Sequence, residues 1–430
     1  MSTNVVEIDA AVWEQEVLRA ERPVVVDFYS TECPPCEALA PKFEALAELY
    51  GNDLKFVKIF RQGNKEIAER LHVTSSPTVL FYVNGDRIGG QFNGAVKRAD
   101  VQAQLDVLVG PERAKELHNK TLPYDTTCDV LIIGAGPAGL TAGIYTSQAK
   151  LDTIVVDRGM AGGNLNITHS VSNFPGFPKP QAGFMLAHYM SEHAKEAGVK
   201  FRQAVDITAS DLVEKWIRID DIETIHAKKV IVATGTSPRP IGVEGEMTYR
   251  GKGISYCATC DAKYYEGKHV VVIGGGNSAI EESLFIAKFA SKITIVHQFD
   301  TLQANKQAQE AAFAEPKISF LFKHEPREFT SSNGLTVDGV DVEDLQTKER
   351  KHIVCDGAFI FAGMQPNLDL FDARFALDEW GYVKVDEDVR TSIKDVFAAG
   401  DVRSKRYRQM TTAVSDGTIA AMALVRELGA

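Results

Sequence analysis

"TCDVLIIGAGPAGLTAGIYTSQAKLDTIVVD", residues 127–157, decides how most of this chain folds. An apolar run enters Gly134-x-Gly136-x-x-Gly139. A helical pattern follows, and a second apolar run ends on Asp157, 23 positions after Gly134. A bound dinucleotide requires each of these parts. The glycines permit a tight turn and a close approach of backbone to pyrophosphate. The helix N-terminus stabilises phosphate charge, and an acid at the end of the second strand can accept from a ribose hydroxyl. The pattern recurs in "KHVVVIGGGNSAIEESLFIAKFASKITIVHQFD" (268–300), where Gly274, Gly276, Asn277 and Ala279 stand in the same strand–turn–helix setting. Two fingerprints imply two dinucleotides. "KKVIVATGT" (228–236) and "DVFAAGD" (395–401) are further strand-plus-glycine segments, and Asp401 suits the ribityl or pyrophosphate part of a flavin.

The first 110 residues read differently. "RPVVVDFYS" (22–30) is an apolar strand with Asp27 inside it. "PPCEALAPKFEALAELYG" reads as a helix ending at Gly51, and "DLKFVKIF" (53–60) as a strand. "KEIAERLHV" reads as a helix and "SPTVLFYVNGDRIGGQF" as a hairpin turning at Asn84-Gly85. "VKRADVQAQLDVLVG" closes with a helix, completing a small α/β domain. Cys33 stands at the start of the first of these helices, where free N–H groups and the helix dipole stabilise a thiolate. Cys36, one turn deeper, is placed to resolve a mixed disulfide. Pro34 and Pro35 cost little in a first turn, whereas Pro41 is expected to kink the helix. Burial should raise the pKa of Asp27 and make it a proton acceptor for Cys36.

Bulk composition sets limits. At about 150 residues per domain, 430 residues imply two or three domains. A net charge of −11 argues against nucleic acid or an anionic membrane as main partner. No apolar run approaches the ~20 residues of a membrane span. The stretch "MSTNVVEIDAAVWEQEV" has neither the basic nor the apolar region of a signal peptide, so a cytoplasmic location is expected. Six cysteines are too few for a disulfide scaffold, and four of them form the pairs Cys33/Cys36 and Cys257/Cys260. A structural zinc site brings its two pairs within about 20 residues. More than 200 positions separate these, so no metal is expected. Cys128 and Cys355 lie in or beside apolar strands and read as core residues. His169 reads as a surface or structural residue.

The first segment resembles thioredoxin, on "VVVDFYS…CPPC…P" and "SSPTVLFYVNGD". The resemblance implies that Cys33 is the attacking thiol, Cys36 the resolving thiol, Asp27 the buried acid and Pro77 a cis-proline beside the disulfide. Three residues depart from that family: Pro34 replaces its usual Gly, Glu32 its Trp, and Ser76 its Ile. From residue 127 onward the chain resembles the low-molecular-weight thioredoxin reductases. The matching pieces are "GAGPAGLTAGIY", "NFPGFP", "VIVATGT", "GISYCATCD", "GGGNSAIEE", "KFASKITIVH", "FIFAGMQPN", "VFAAGDV" and "YRQMTTAVSDG". Together the resemblances imply an α/β chain: a thioredoxin fold, then a two-domain flavoprotein disulfide reductase with two Rossmann-like folds. The division expected is a thioredoxin-like domain 1–109, a linker 110–124, an FAD domain 125–239 and 363–430, and a nicotinamide domain 240–362 inserted into it. A homodimer is implied. Electrons would pass from nicotinamide through FAD to Cys257–Cys260 and on to a disulfide. Cys260 would face the flavin, Cys257 would attack the substrate, and Asp261 would act as acid–base. Asn173, Arg408 and Gln409 would lie near the flavin, and the stretches around Gly235 and Gly363 would be hinges between two domain orientations.

One part of the reductase pattern breaks. NADPH-dependent members carry His-Arg-Arg and another Arg after the second fingerprint, a clamp for the 2′-phosphate. Here "VHQFDTLQANK" keeps His297 but has Gln298, Phe299 and Gln303, with Lys306 the nearest cation. Losing charge-assisted hydrogen bonds at ~1.5–3 kcal/mol each favours NADH over NADPH, with Gln298 a partner for the 2′-hydroxyl. The acid that commonly binds the NADH ribose is absent as well, which leaves another donor as a third option. Residues 110–127, "GPERAKELHNKTLPYDTT", read as a polar tether with a short helix over 112–119. Fully extended, its 18 residues reach ~60 Å at ~3.3 Å each, enough for Cys33–Cys36 to visit Cys257–Cys260 in the same or a partner subunit. The expected activity is a reductase serving its own thioredoxin-like domain and then protein disulfides. Three alternatives stand beside it. One is a reductase feeding a peroxiredoxin, like the flavoprotein subunit of alkyl hydroperoxide reductase, whose N-terminal part is about twice as long. The others are a docking module without electron exchange and a flavin-dependent dithiol oxidase.

Overall fold

The computed structural model describes residues 4–168, 170–371 and 374–429; His169 lies outside them. Three sheets organise the chain, each formed where Val and Ile run together. The first contains β1 (Val5–Ile8), β2 (Val24–Tyr29), β3 (Lys55–Phe60), β4 (Thr78–Val83) and β5 (Asp86–Asn93), in the order β1-β3-β2-β4-β5. β2 is central and covered on both faces, which is why its sequence is continuously apolar rather than alternating. β1 and β2 pair parallel to β3, and β4 runs antiparallel to β2. The β4–β5 turn falls at Asn84 and Gly85, both with positive φ (52° and 84°), as a two-residue type I′ turn requires.

Helix α1 (Pro34–Tyr50) runs through Pro41 and buries Leu39, Phe43, Leu46 and Tyr50 against this sheet. α2 (Lys65–Arg70) and α3 (Arg98–Val109) complete the unit. A further helix, α4 (Pro111–His118), forms in the segment read as a tether. It is packed rather than free. Ala114 and Leu117, three apart, are buried, and Leu117 belongs to the same core as α1. Arg113 forks onto Asp53 at 3.0–3.1 Å, and His118 Nε2 lies 3.0 Å from Asp106. Only residues 119–123 then separate α4 from the next strand, a span of ~17 Å at ~3.3 Å per residue. The reach of ~60 Å expected for an extended tether is therefore not available. Two apolar residues at helical spacing, with Arg113 on Asp53, dock the segment.

The second sheet is built from β6 (Tyr124–Ile133), β7 (Thr153–Val156), β8 (Lys200–Arg202), β9 (Ile207–Asp211), β10 (Trp216–Ile219) and β11 (Glu223–Val232), with α5 (Pro137–Gln148) and α6 (Gly183–Glu196) among them. Its order is β8-β7-β6-β11-β10-β9. The ribbon strand β12 (Thr236–Pro238) leads out of it. The third sheet follows. It comprises β13 (Ile254–Ser255), α7 (Ala258–Asp261), β14 (His269–Ile273), α8 (Asn277–Ile286), β15 (Lys292–His297), α9 (Lys306–Ala314) and β16 (Ile318–Phe322). A small antiparallel sheet of β17 (His324–Thr330), β18 (Gly339–Asp344) and β19 (Arg350–Val354) precedes its last strand, β20 (Gly357–Ile360). The order β13-β20-β14-β15-β16 is parallel throughout. The chain returns through β21 (Met364–Pro366), which pairs antiparallel with β12. It then adds β22 (Val396–Ala398) to β11 and ends in α10 (Met410–Leu428).

The first sheet's unit rests on the second sheet's unit through three polar links. Lys42 Nζ on α1 donates to the carbonyls of Gln203 (2.7 Å) and Ala204 (2.6 Å). Lys97 pairs with Asp206 at 2.5 Å, and Lys195 of α6 with Glu37 at 2.7 Å. Between the units lies a cavity of about 590 Å³, with Pro34, Pro41 and Arg98 on one wall and Tyr124, Lys195 and Arg202 on the other. Replacing Leu117 with Ala should detach α4. Stability of the first unit should fall by roughly 2–4 kcal/mol, and limited proteolysis should cut within 111–123 faster than in the parent.

Candidate redox and dinucleotide sites

Both cysteine pairs are closed as disulfides, Cys33–Cys36 and Cys257–Cys260. Each opens a helix in the same way. Cys33 is the extended residue before α1, and its Sγ accepts the amide of Cys36 at 3.3 Å. Cys257 is the extended residue before α7, and its Sγ accepts the amide of Cys260 at 3.2 Å. Around the first pair, the Ser76–Pro77 peptide is cis, and the Ser76 carbonyl lies 3.5 Å from Cys33 Sγ. Asp27 is buried in β2, and its Oδ1 has no hydrogen-bond partner among the described residues. Desolvation pushes its carboxyl up to about 7, against the opposing charge of Lys58.

Around the second pair, Ser255 steadies the turn: its Oγ accepts from Cys257 N at 3.0 Å. Cys257 is half-buried, Cys260 exposed, and Asp261 closes α7 with its amide on the Cys257 carbonyl at 3.2 Å. Glu246 was not foreseen. It is buried, accepts from the amides of Ile241 (3.0 Å) and Gly242 (2.7 Å), and binds the hydroxyl of Tyr256, the residue before Cys257. The only signal was an acid in a Gly-rich loop, which usually means solvent. α7 lies against the short turn Gly163–Ile167 of the second sheet's unit.

The first fingerprint forms a strand–turn–helix between β6 and α5. Gly134 has φ +107°, and a Cβ there would meet the Ala233 carbonyl oxygen at 2.3 Å. A Cβ on Gly139 would meet the Gly134 oxygen at 1.9 Å. A Cβ on Gly136 would instead point into open space, with only Gly163 Cα as near as 4.0 Å. Asp157 accepts from the amides of Ala135 (2.6 Å) and Gly159 (2.7 Å), so it ties the glycine turn to the end of β7. Gly400 approaches Ala138 on α5, which brings Asp401 to the same end of the sheet, paired with Lys405 at 3.0 Å. Asn173 and Gln409 meet at 3.1 Å, and the Arg408 guanidinium stacks 3.7 Å over Tyr382. Gly235 lies farther along, at the foot of the β12–β21 ribbon, with φ +63°.

The second fingerprint repeats the arrangement between β14 and α8. Gly274 has φ +134° and abuts the Phe361 carbonyl, Gly276 is open, and Ala279 is buried below. Asn277 Oδ1 accepts from Asn305 N at 2.7 Å, linking the helix start to the loop before α9. His297 is buried under the glycines: a Cβ on Gly275 would meet its ring at 2.5 Å. Burial lowers its pKa, and Nε2 lies 3.2 Å from the Thr301 carbonyl. His297 thus forms the floor of the loop, while Gln298 beside it is exposed.

A family described as pyridine nucleotide-disulphide oxidoreductase matches residues 128–417, and one described as thioredoxin matches residues 4–107. A thioredoxin reductase of Bacillus subtilis (strain 168) is 40% identical over 296 residues, covering 69% of this chain and 93% of that protein. A 34.2 kDa protein in the rubredoxin operon of Clostridium pasteurianum is 44% identical over 303 residues, covering 70% and 97%. The solved thioredoxin reductase of Lactococcus lactis, in its FR conformation, matches at 36% identity with a TM-score of 0.66, over 70% of this chain and 99% of that one. The chain belongs to the pyridine nucleotide-disulphide oxidoreductases. A thioredoxin domain precedes the flavoprotein fold.

As an oxidoreductase of this family, the chain is expected to take FAD and a pyridine nucleotide. Its residues fit both. The cradles at Gly136 and Gly276 are open where a side chain would fill them. Each lies before a helix whose first N–H groups no side chain caps. Among the described residues, Thr259 Oγ1 in the redox turn and Arg408 Nε are buried without a hydrogen-bond partner. The remaining cysteines of the oxidoreductase, Cys128 and Cys355, are buried thiols pushed up to about 12 by desolvation, unsuited to exchange. No helix among the described residues is long and apolar enough to cross a membrane.

Two outcomes follow from this geometry. Gly134→Ala should leave misfolded protein, because carbonyl and φ both reject a side chain. Gly136→Ala should fold, judged by circular dichroism, yet purify without bound flavin, judged by visible absorbance. The second concerns Asp27, which keeps its proton in the folded state to higher pH than in the unfolded chain. Stability from the neutral carboxyl is full below about pH 4 and lost as pH rises through about 7. That loss amounts to roughly 3–5 kcal/mol at 1.36 kcal/mol per unit. Urea unfolding of Asp27→Asn across this range should show the slope removed.

Proposed function

We propose that this chain is a thioredoxin reductase fused to its own thioredoxin-like substrate. The carrying observation is the repeated redox turn: each pair starts a helix, with the first sulfur accepting the second cysteine's amide. The working division is a thioredoxin-like domain 1–109, a linker 110–124, an FAD domain 125–239 with 363–430, and a nicotinamide domain 240–362. Gly134, Gly136, Gly139, Asp157, Asn173, Gly235, Asp401, Arg408 and Gln409 would hold FAD. Gly274, Gly276, Asn277, Ala279, His297 and Gln298 would hold the nicotinamide dinucleotide. Bound flavin supplies two-electron exchange between a nicotinamide and the Cys257–Cys260 disulfide.

The chain's own groups carry the chemistry from there. Cys257 thiolate attacks Cys33 Sγ, the Cys33–Cys36 bond breaks, and Cys36 leaves as a thiolate that takes a proton. Asp27, poised near neutral pH, is the proton donor and later the acceptor at Cys36. Cys260 thiolate then attacks Cys257, restores the Cys257–Cys260 disulfide and frees Cys33 as a thiolate. Asp261 is assigned the acid–base role at this step. Reduced Cys33 attacks a client disulfide, and Cys36 resolves the mixed disulfide. Clients are protein disulfides or a peroxiredoxin, in a reducing, cytoplasmic setting.

The transfer requires movement. α7 lies against the Gly163–Ile167 turn, and the thioredoxin-type unit is held by Lys42. The β12–β21 ribbon is the proposed hinge: Gly235 and Gly363 at its ends both have positive φ, 63° and 101°. A homodimer would let a partner subunit receive the electrons, and a span of only 119–123 supports short-range transfer.

NADH is the favoured donor and NADPH the alternative. Gln298 and Phe299 are exposed after β15, where a 2′-phosphate would need guanidinium groups. Anaerobic stopped-flow reduction of the flavin should be at least tenfold faster with NADH than with NADPH. Gln298→Arg should narrow that ratio. NADH-driven reduction of insulin disulfides should vanish in Cys33→Ser; unchanged activity in that variant would sink the fusion path.

A further inference from the structure

A polar relay stands at the mouth of the Cys33–Cys36 disulfide, and electron transfer alone gives it no task. Ser30 Oγ donates to Ser76 Oγ at 2.7 Å, and Arg61 Nε donates to the same oxygen at 2.9 Å. Arg61 Nη1 reaches the Thr74 carbonyl at 3.5 Å. Ser76 is the residue whose own carbonyl lies 3.5 Å from Cys33 Sγ. One guanidinium is therefore moored a single residue away from the sulfur. Arg61 opens the short turn Arg61–Gly63 at the end of β3, so the sheet fixes its backbone. An apolar residue at 76 would give Arg61 Nε no acceptor.

Arg61 is partly exposed, and among the described residues no carboxylate pairs with it. Glu37, the acid in the first turn of α1, is occupied by Lys195 at 2.7 Å. A planar guanidinium with spare N–H groups prefers a carboxylate, which it binds in a fork. Any client must bring a half-cystine to Cys33 beside the Ser76–Pro77 peptide, and its flanking residues then come within reach of Arg61. We infer that Arg61 is a specificity-determining residue that selects protein disulfides flanked by acidic side chains. This rests on Cys33 being the attacking thiol. The chain's net charge of −11 opposes acidic partners at long range. The selection therefore belongs to the residues beside the half-cystine, not to the client's total charge.

The test uses the full chain with NADH and three peptide disulfides that differ only beside the half-cystine, carrying Glu, Gln or Lys. At low salt kcat/KM should be roughly three- to tenfold higher for Glu than for Gln, and lowest for Lys. The difference should lie in KM and shrink in 0.5 M salt as the pair is screened. Arg61→Gln should bring the three peptides together, Arg61→Glu should invert their order, and Arg61→Lys should recover most of the preference. The ratio of Glu to Gln rates does not depend on how much of a variant is folded. Equal turnover of all three peptides by the parent overturns the inference and leaves the proposed function standing. Faster turnover of cystine than of the Glu peptide also overturns it, because the substrate would then be a small disulfide. Turnover that survives Cys33→Ser overturns the reading beneath it.

Discussion

Free backbone N–H groups at helix starts are the constraint on which this molecule depends. An ordinary helix satisfies them with a Ser, Thr, Asp or Asn side chain at the N-cap. In this chain most described helices do not, and four of these border the candidate sites. Before α5 and α8 the cap is glycine in extended conformation, Gly136 and Gly276, and no side chain takes the donors. They are left for phosphate oxygens. Before α1 and α7 the cap is the first cysteine of each redox pair, and its sulfur is the acceptor. Such donors suit anion binding in one pair of helices and thiolate stabilisation in the other. A conventional cap at any of the four would strengthen the helix by about 1 kcal/mol and remove its chemistry.

Desolvation is the second theme, and it acts in opposite senses. Asp27 is buried with its Oδ1 unpartnered, and desolvation raises its carboxyl to about 7, which suits the proton exchange proposed at Cys36. Cys128 and Cys355 are buried too, and burial makes them inert. The difference lies in neighbours rather than residue type. Asp27 stands in the strand that leads to Cys33, whereas the two thiols lie inside hydrophobic core clusters.

What was legible in the sequence was local. Glycine spacing, the Asn84–Gly85 turn and the cysteine pairs each encode their geometry within a few residues. Their positive φ values, tight approaches and helix starts follow directly. What escaped depended on distant chain. The helix α4 was legible but its packing was not: five of its eight residues are polar, and Ala114, Leu117 and Arg113 dock it on chain far away in sequence. Lys42 carries no local signal, yet its amine caps two carbonyls 161 and 162 positions away. His297 ends an apolar strand beside the candidate nucleotide site, and nothing local shows that the glycine loop packs down on its ring. Glu246 and Arg61 were equally silent, because their partners Tyr256 and Ser76 are found only once the loops are folded.

The contacts that hold the thioredoxin-type unit are of a kind that can let go. Lys195–Glu37 is half-exposed on both sides, and such pairs contribute ~0–1 kcal/mol. Lys42 donates two good hydrogen bonds, but desolvation of its amine, which pulls the pKa down to about 8, offsets part of what they contribute. Between the units a cavity of about 590 Å³ stands where a permanent interface would be filled. The β12–β21 ribbon is built differently. It is joined by backbone hydrogen bonds and by Asn367, which exchanges bonds with Thr234 at 2.7 and 2.9 Å. A loose, polar dock beside a well-bonded ribbon fits a machine in which the substrate unit comes and goes while the two dinucleotide-binding units stay connected. The short span 119–123 then keeps the released Cys33–Cys36 close to the surface it left.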